Sequence, residues 1–210
     1  MHIEVFCFNP FQENTYILYD DTLECVIVDP GCYNVLEQKQ LFDFIKDNNL
    51  NPVRLLNTHA HIDHVFGNKF VAEKYNLGLE LNSLDLGVLR AAKMSAMKYN
   101  LEYEISPEPV KSLEEGEELS FGNTKLSILH IPGHAPGHVV FYNEDEKKII
   151  GGDVLFRGSI GRTDLPGGDH DALIHNVKKK LFVLDDSIEV FPGHGPKTTI
   201  GYEKANNPFF

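Results

Sequence analysis

Seven residues of this sequence carry atoms suited to divalent-metal chemistry: His59, His61, Asp63, His64, His134, Asp153 and His194. Four of them fall in one string, Thr58-His59-Ala60-His61-Ile62-Asp63-His64, directly after the apolar run 53–56. His59 and His61 are two apart, so at a strand end both imidazoles can point the same way. Asp63 and His64 then fall on the turn into a helix and reach a neighbouring point. Imidazole nitrogen and carboxylate oxygen suit Zn²⁺, and also Fe and Mn. Five histidines and two aspartates exceed what one tetrahedral zinc needs. A carboxylate can bridge two ions roughly 3.5 Å apart, so the pattern fits two divalent metal ions.

The remaining candidates each follow a strand-like run. His134 comes after the turn Ile131-Pro132-Gly133, Asp153 after Gly151-Gly152, and His194 after Pro192-Gly193. Two more histidines stand close by. His138, four residues after His134, is expected to support a ligand rather than to be one. His130 precedes the Pro-Gly turn and reads as structural. His2, His170 and His175 read as surface or helix residues.

The string THAHIDH resembles the metal-binding signature of the metallo-β-lactamase superfamily. PGHAPGH, GGDVLF and PGHGP match its later motifs in order, so the resemblance spans nearly the whole chain. It implies an α+β fold, a four-layer αββα sandwich with the metals at one edge. It also implies ligand roles: His59, His61 and His134 for the first ion, Asp63, His64 and His194 for the second, and Asp153 bridging them. The chemistry expected of such a site is hydrolysis by a metal-bridging hydroxide, with one ion polarising a carbonyl oxygen. Asp63, beside that hydroxide, is a candidate proton acceptor.

One string outside the ligands narrows the expectation. Arg157-Gly-Ser-Ile-Gly-Arg162-Thr-Asp164-Leu-Pro-Gly-Gly-Asp169 resembles the substrate loop of small type II glyoxalases, the hydroxyacylglutathione hydrolase family. The ending Gly201-Tyr-Glu-Lys-Ala-Asn-Asn-Pro208-Phe-Phe is similar to theirs as well. The resemblance implies thioester hydrolysis of S-lactoylglutathione-type substrates. Arg162 lies where larger members place a cation that contacts glutathione, and its forked donors suit a carboxylate; the competing expectation is an ion pair with Asp164. Two features depart from the larger members. Their glutathione-gripping helical C-terminal domain is expected to be missing from a chain of 210 residues, and Gly-Pro-Lys follows His194 where they often have a tyrosine. The alternatives are a persulfide dioxygenase with a single iron, which shares the fold and a similar Gly-Arg-Thr-Asp segment, and a lactone or ester hydrolase. A β-lactamase fits less well. No nucleophile elbow, Walker A loop or GxGxxG is present.

The elements that must position these residues follow from periodicity. Short β-rich runs are expected at 3–8, 14–19 and 24–29, with turns at Asn9-Pro10 and Asp20-Asp21. An amphipathic helix is expected over 35–48, with Val35, Leu36, Leu41, Phe42 and Ile45 as its apolar residues. A buried strand over 52–56, a helix over 65–75 and a strand over 78–81 come next. Ser83 is the expected cap of a helix running to about Tyr99. Residues 101–112 read as a loop or lid, and with 84–99 they are candidates for a pocket wall. Met94 and Met97 read as packed. Residues 118–131 read as a hairpin turning at Gly122-Asn123. A strand pair at 139–142 and 148–151, a helix over 171–184, a strand over 188–191 and a helix after Thr198 complete the chain.

Composition sets the outer bounds. With 42% hydrophobic and 24% charged residues, the 210-residue chain is expected to form one domain, residues 1–210. A net charge of −12 disfavours nucleic-acid partners, and Lys178-Lys179-Lys180 reads as a solvated helix face. The expected partner is a small-molecule thioester. Cys7, Cys25 and Cys32 form no CxxC pair and read as buried, reduced thiols. Without a leader-like N-terminus or a long apolar run, no membrane association and a cytoplasmic location are expected.

Overall fold

The computed structural model describes residues 1–210. The chain forms two compact units, Met1–Ser112 with Ser120–Thr124, and Leu113–Leu119 with Lys125–Phe210. Each has its own sheet and is described in turn.

In the first unit, β1 (His2–Phe8), β2 (Glu13–Tyr19), β3 (Glu24–Val28), β4 (Asn51–Leu56) and β5 (Leu79–Glu80) form one sheet in sequence order. Tight turns make β1, β2 and β3 antiparallel; longer crossovers make β3, β4 and β5 parallel. Those crossovers carry α1 (Val35–Asp47), then α2 (Ile62–Val65) and α3 (Asn68–Tyr75). After β5 comes α4 (Leu86–Lys98). Phe6, Phe8, Ile17, Ile27, Leu41 and Leu55 form part of the buried core. On β1 the period of two turns Phe6 and Phe8 inward and leaves Cys7 exposed, so the expectation of three buried thiols fails at Cys7. Burial pushes the Cys25 thiol up to about 12.

Several expected boundaries shift for local reasons. The helix expected over 65–75 is two, broken at Gly67. The Gly67 N–H donates to the Pro30 carbonyl at 2.7 Å, and a Cβ there would lie 2.3 Å from Cys32 Sγ. The backbone packs too closely for any side chain. Ser83 is not the cap of the next helical segment. Asn82 is, its side chain accepting from Leu84 N–H at 3.0 Å. On α1, Leu41 and Ile45 are buried, but Val35 and Leu36 in the first turn are exposed. Met94 and Met97 are likewise exposed, not packed. Residues 101–112 contain no helix, yet they are anchored. Val110 and Leu81 exchange backbone bonds with Leu79 and Lys111, and Ser106 Oγ reaches the Val65 carbonyl at 3.4 Å.

In the second unit, β6 (Glu118–Phe121), β7 (Thr124–His130), β8 (Val139–Asn143) and β9 (Lys148–Gly152) run on to β12 (Glu189–Pro192) and β13 (Thr198–Thr199). The sheet order is β13-β12-β9-β8-β7-β6, with β12 parallel to β9. A small hairpin of β10 (Leu155–Phe156) and β11 (Ser159–Ile160) leads to α5 (His170–Asn176), which continues as a π-helical turn, Val177–Leu181. The chain ends with α6 (Ile200–Asn206). Ile131, Val140, Ile149, Leu173, Val190 and Ile200 pack as its core. Lys180 donates to Glu115 and the His130 carbonyl, so this lysine of the basic triplet is bonded rather than merely solvated.

The turn between β6 and β7 occurs at Gly122-Asn123 as expected, with Gly122 at φ +51. It belongs to the first unit through Asp20, which accepts from Asn123 N–H and Thr124 Oγ1 at 2.7 and 2.9 Å. Burial alone would raise the Asp20 carboxyl; these bonds and those from Thr22 hold it down at about 2. No helix is long and apolar enough to cross a membrane.

Candidate metal centre

In the first unit, β4 ends at Leu56 and the chain turns over Asn57, Thr58 and His59, all fully buried. His61 takes the N-cap position of α2 with extended backbone, and its side chain does not cap the helix. Asp63 and His64 lie in α2 itself. The His59 ring stands 4.8 Å from the His61 ring and 4.1 Å from the His64 ring. The string therefore gathers its imidazoles on a loop and a helical turn rather than at the strand end that the period-of-two argument invokes.

What orients them is Asp29, which sequence reasoning did not single out. It follows β3 at φ +49, a left-handed conformation rare outside glycine and asparagine. Its buried carboxylate accepts from Thr58 N–H at 2.7 Å, Thr58 Oγ1 at 2.6 Å, Asn57 Nδ2 at 3.2 Å and His64 Nδ1 at 3.1 Å. The proton positions follow. His64 donates from Nδ1, so a neutral His64 presents a bare lone pair at Nε2. Thr58 gives its one hydroxyl proton to Asp29, so its contact with His59 Nδ1 at 3.0 Å is a bond donated by His59. His59 too therefore presents Nε2. Asp29, His59 and His64 carry donor atoms within 4.8 Å of one another. The Asp85 carboxylate, fully buried, accepts from Ala60 N–H at 2.8 Å and fixes the loop between His59 and His61.

Glu13 packs beneath this array. Its Oε1 lies 3.9 Å from His64 Nδ1, and a Cβ at Gly31 would fall 2.0 Å from its Oε2. Burial pushes its carboxyl well above the ordinary range, offset in part by His64. Thr15 Oγ1 stands 2.9 Å from both Glu13 Oε2 and the Asp29 carbonyl, while Gly31 N–H donates to it.

In the second unit the donors come from three separate strand ends. His134 follows the turn after β7, Asp153 follows β9 and His194 follows β12. Asp153 Oδ2 stands 3.5 Å from His134 Nε2 and 3.5 Å from His194 Nε2. His134 donates from Nδ1 to the Arg162 carbonyl at 2.7 Å, so its Nε2 is also a lone pair. His138, buried, accepts from Asp153 N–H at 2.9 Å through Nε2. It thus holds the backbone of Asp153, a candidate ligand. His130 Nε2 pairs with the Pro136 carbonyl at 2.9 Å, a structural contact, and His2, His170 and His175 are exposed. Arg162 points its guanidinium at Asp164, with Nε and Nη2 bonds of 2.7 and 2.8 Å, and both residues are exposed. That pairing holds the Asp164 carboxyl down at about 2.

These donors fit divalent metal on chemical grounds. The Nε2 atoms of His64, His134 and His194 stand 3.5–3.7 Å from carboxylate oxygens of Asp63 and Asp153. For His64 and His134, whose Nδ1 atoms carry the ring proton, a cation between these donors turns lone-pair repulsion into coordination. The first unit also has a cleft of about 770 Å³, lined by Tyr33, Phe66, Lys93, Met97, Leu101 and Tyr103 among others. Its walls include residues from 84–99 and 101–112, and none of the seven candidate ligands lines it.

Comparison with known proteins places the chain. A family model described as the metallo-beta-lactamase superfamily matches residues 8–194. The hydroxyacylglutathione hydrolase GloC of Haemophilus influenzae is 38% identical over 213 residues, spanning 100% of this chain and 98% of that protein. The crystal structure of TTHA1623 in a di-iron-bound form is 40% identical with a TM-score of 0.88, covering 100% of each chain. That of the BLEG-1 B3 metallo-beta-lactamase is 35% identical with a TM-score of 0.91, covering 99% of each. Mixed α+β architecture, ordered His and Asp motifs and whole-length similarity agree: the chain belongs to the metallo-β-lactamase superfamily.

Proposed function

We propose that this chain is a metal-dependent hydrolase with a dinuclear site, acting on thioesters of the S-lactoylglutathione type. The observation that carries the substrate class is the 38% identity, over the whole chain, to a protein named hydroxyacylglutathione hydrolase. In this reading His59, His61 and His134 would hold one ion and Asp63, His64 and His194 the other, with Asp153 available to both. Zinc is the first choice; the di-iron form of TTHA1623 keeps iron, with manganese, as an alternative. When bound, such ions supply a water deprotonated near neutral pH and an electrophile for a carbonyl oxygen.

The chain's own residues do the rest. Asp29, Thr58 and the Arg162 carbonyl fix the tautomers of His64, His59 and His134, so each ring would offer an ion its Nε2 lone pair. Asp85 and His138 hold the loop and the strand end that bear ligands. Asp63 accepts the proton released as the thioester is attacked. Arg162 offers its fork to a substrate carboxylate, which must compete with Asp164 for it.

The test is to count metals per chain, then assay the purified protein on S-lactoylglutathione and on glutathione persulfide with oxygen. The proposal expects two ions and thioester cleavage without oxygen uptake. One iron with oxygen consumption would mark a persulfide dioxygenase instead. Cleavage of lactones or simple esters faster than the thioester would move the substrate class. Asp63→Asn with both metals and full turnover would remove the proton-acceptor role.

A further inference from the structure

The segment that ends at Arg162 begins at the β10–β11 hairpin, and that hairpin is bonded to α6. Glu203, in α6, is fully buried. Its carboxylate accepts from Gly158 N–H at 2.9 Å, from Asn207 Nδ2 at 2.7 Å and from the Thr198 hydroxyl. Asn207 Nδ2 also donates to the Ser159 carbonyl at 2.9 Å. Arg157 lies over the Tyr202 ring, 5.2 Å from its centroid. Three consecutive hairpin residues, 157 to 159, are thus tied to the end of the chain.

The same segment touches each proposed ligand of its unit. Phe156 meets the His194 ring edge-on at 6.1 Å. A Cβ at Gly161 would fall 1.8 Å from the Asp153 carbonyl oxygen and 3.0 Å from His134 Nδ1, so the backbone there is in close contact with both. The Arg162 carbonyl takes the His134 Nδ1 proton.

We propose that Glu203 is a positioning residue of the metal centre, acting through the 156–162 segment on His134. It rests on the ligand roles proposed above. A carbonyl carries no spare reach: if the segment moves, the bond to His134 Nδ1 is lost, and with it the tautomer and tilt of the ring. A buried carboxylate with three donors is what keeps the segment still. An amide in its place offers one acceptor oxygen to three donors and sets its own N–H groups against the others, which loosens the bonds to Gly158 and Asn207.

The experiment uses the full chain, stripped of metal and titrated with cobalt(II), following visible absorption and competition with a chelator. The variants are Glu203→Gln, Asn207→Ala and Thr199→Ala. Thr199 caps α6 by accepting from Tyr202 N–H at 3.1 Å and makes none of the Glu203 bonds, so it reports loosening of the helix alone. We expect Glu203→Gln and Asn207→Ala each to weaken cobalt roughly tenfold or more and to shift its absorption bands. Thr199→Ala should lower Tm yet bind cobalt within about twofold of the unaltered chain. Unaltered affinity and bands in both Glu203→Gln and Asn207→Ala would overturn the proposal, as would an equal loss in Thr199→Ala. If the unaltered chain binds no cobalt at all, the ligand assignment fails first and this inference falls with it.

Discussion

The two units solve the same problem differently. In the first, the candidate ligands come from one contiguous string, and their support is ionic: Asp29 and Asp85 are buried carboxylates bonded to that string. In the second, His134, Asp153 and His194 come from three strand ends, and their support is neutral: the Arg162 carbonyl and the His138 ring. A contiguous string needs one strong anchor, because its own turn sets the spacing. Scattered ligands need the sheet register to set their spacing, and a carbonyl or an imidazole is then enough to fix orientation.

That contrast can be broken, and the largest effect belongs to Asp29. Asp29→Ala leaves Thr58, Asn57 and His64 without their acceptor, and should cost about 3 kcal/mol or more in urea unfolding of the metal-free protein. Metal bound on reconstitution should fall as well; wild-type metal content would show that the string holds itself. Gly161→Ala comes next. Its Cβ has no room beside the Asp153 carbonyl, so a loss of roughly 2 kcal/mol is expected, with weakened metal binding. Full retention of both would mean that the second unit yields more than its close packing implies.

His138→Ala should be milder, about 1 kcal/mol or a little more, since one buried N–H, that of Asp153, loses its acceptor. His138→Gln supplies a replacement acceptor and should recover part of it; no difference between the two variants would remove the hydrogen bond as the reason. The smallest effect on stability is expected at Arg162, whose pair with Asp164 is exposed. Arg162→Ala should leave Tm unchanged and raise KM for an acidic thioester more than for a neutral ester. Equal effects on both would end the case for a carboxylate clamp. The Asp164 carboxyl is depressed, so its contribution is present above its ordinary value of 3.8 and is lost only as pH falls toward about 2. The Arg162 effect should therefore be flat from pH 5 to 8, and a slope across that range would point to another group.

Much of this molecule is legible in order of sequence. The β-rich runs, the hairpin at Gly122-Asn123 and the crossover helices lie close to where periodicity puts them, because side-chain alternation and turn chemistry are local. The failures are where tertiary contact overrides a local signal. Gly67 breaks a helix because Cys32 packs against it, and Cys7 is exposed because β1 turns that face outward. Asn82 displaces Ser83 as cap by a single residue, within the range over which capping signals compete. Val35 and Leu36 carry the apolar signature of a core face, but α1 buries only the side that bears Leu41 and Ile45.

The candidate ligands were marked by residue type and spacing, and their proposed roles by the family resemblance, because coordination selects nitrogen and oxygen donors and a seven-residue string can present several of them. The residues that orient those ligands were another matter. Asp29 stands 29 residues before Thr58 and 35 before His64, and in sequence Val28-Asp29-Pro30-Gly31 reads as an ordinary strand-ending turn. Glu203 reads as a charge on a terminal helix, though it lies fully buried against a hairpin 45 residues earlier. The acceptor for His134 is a backbone carbonyl, a group that every residue possesses and no residue type announces. Donor identity is written in side chains and so in the sequence; donor orientation depends on long-range hydrogen bonds, many of them to the backbone, and only the folded chain brings those atoms together.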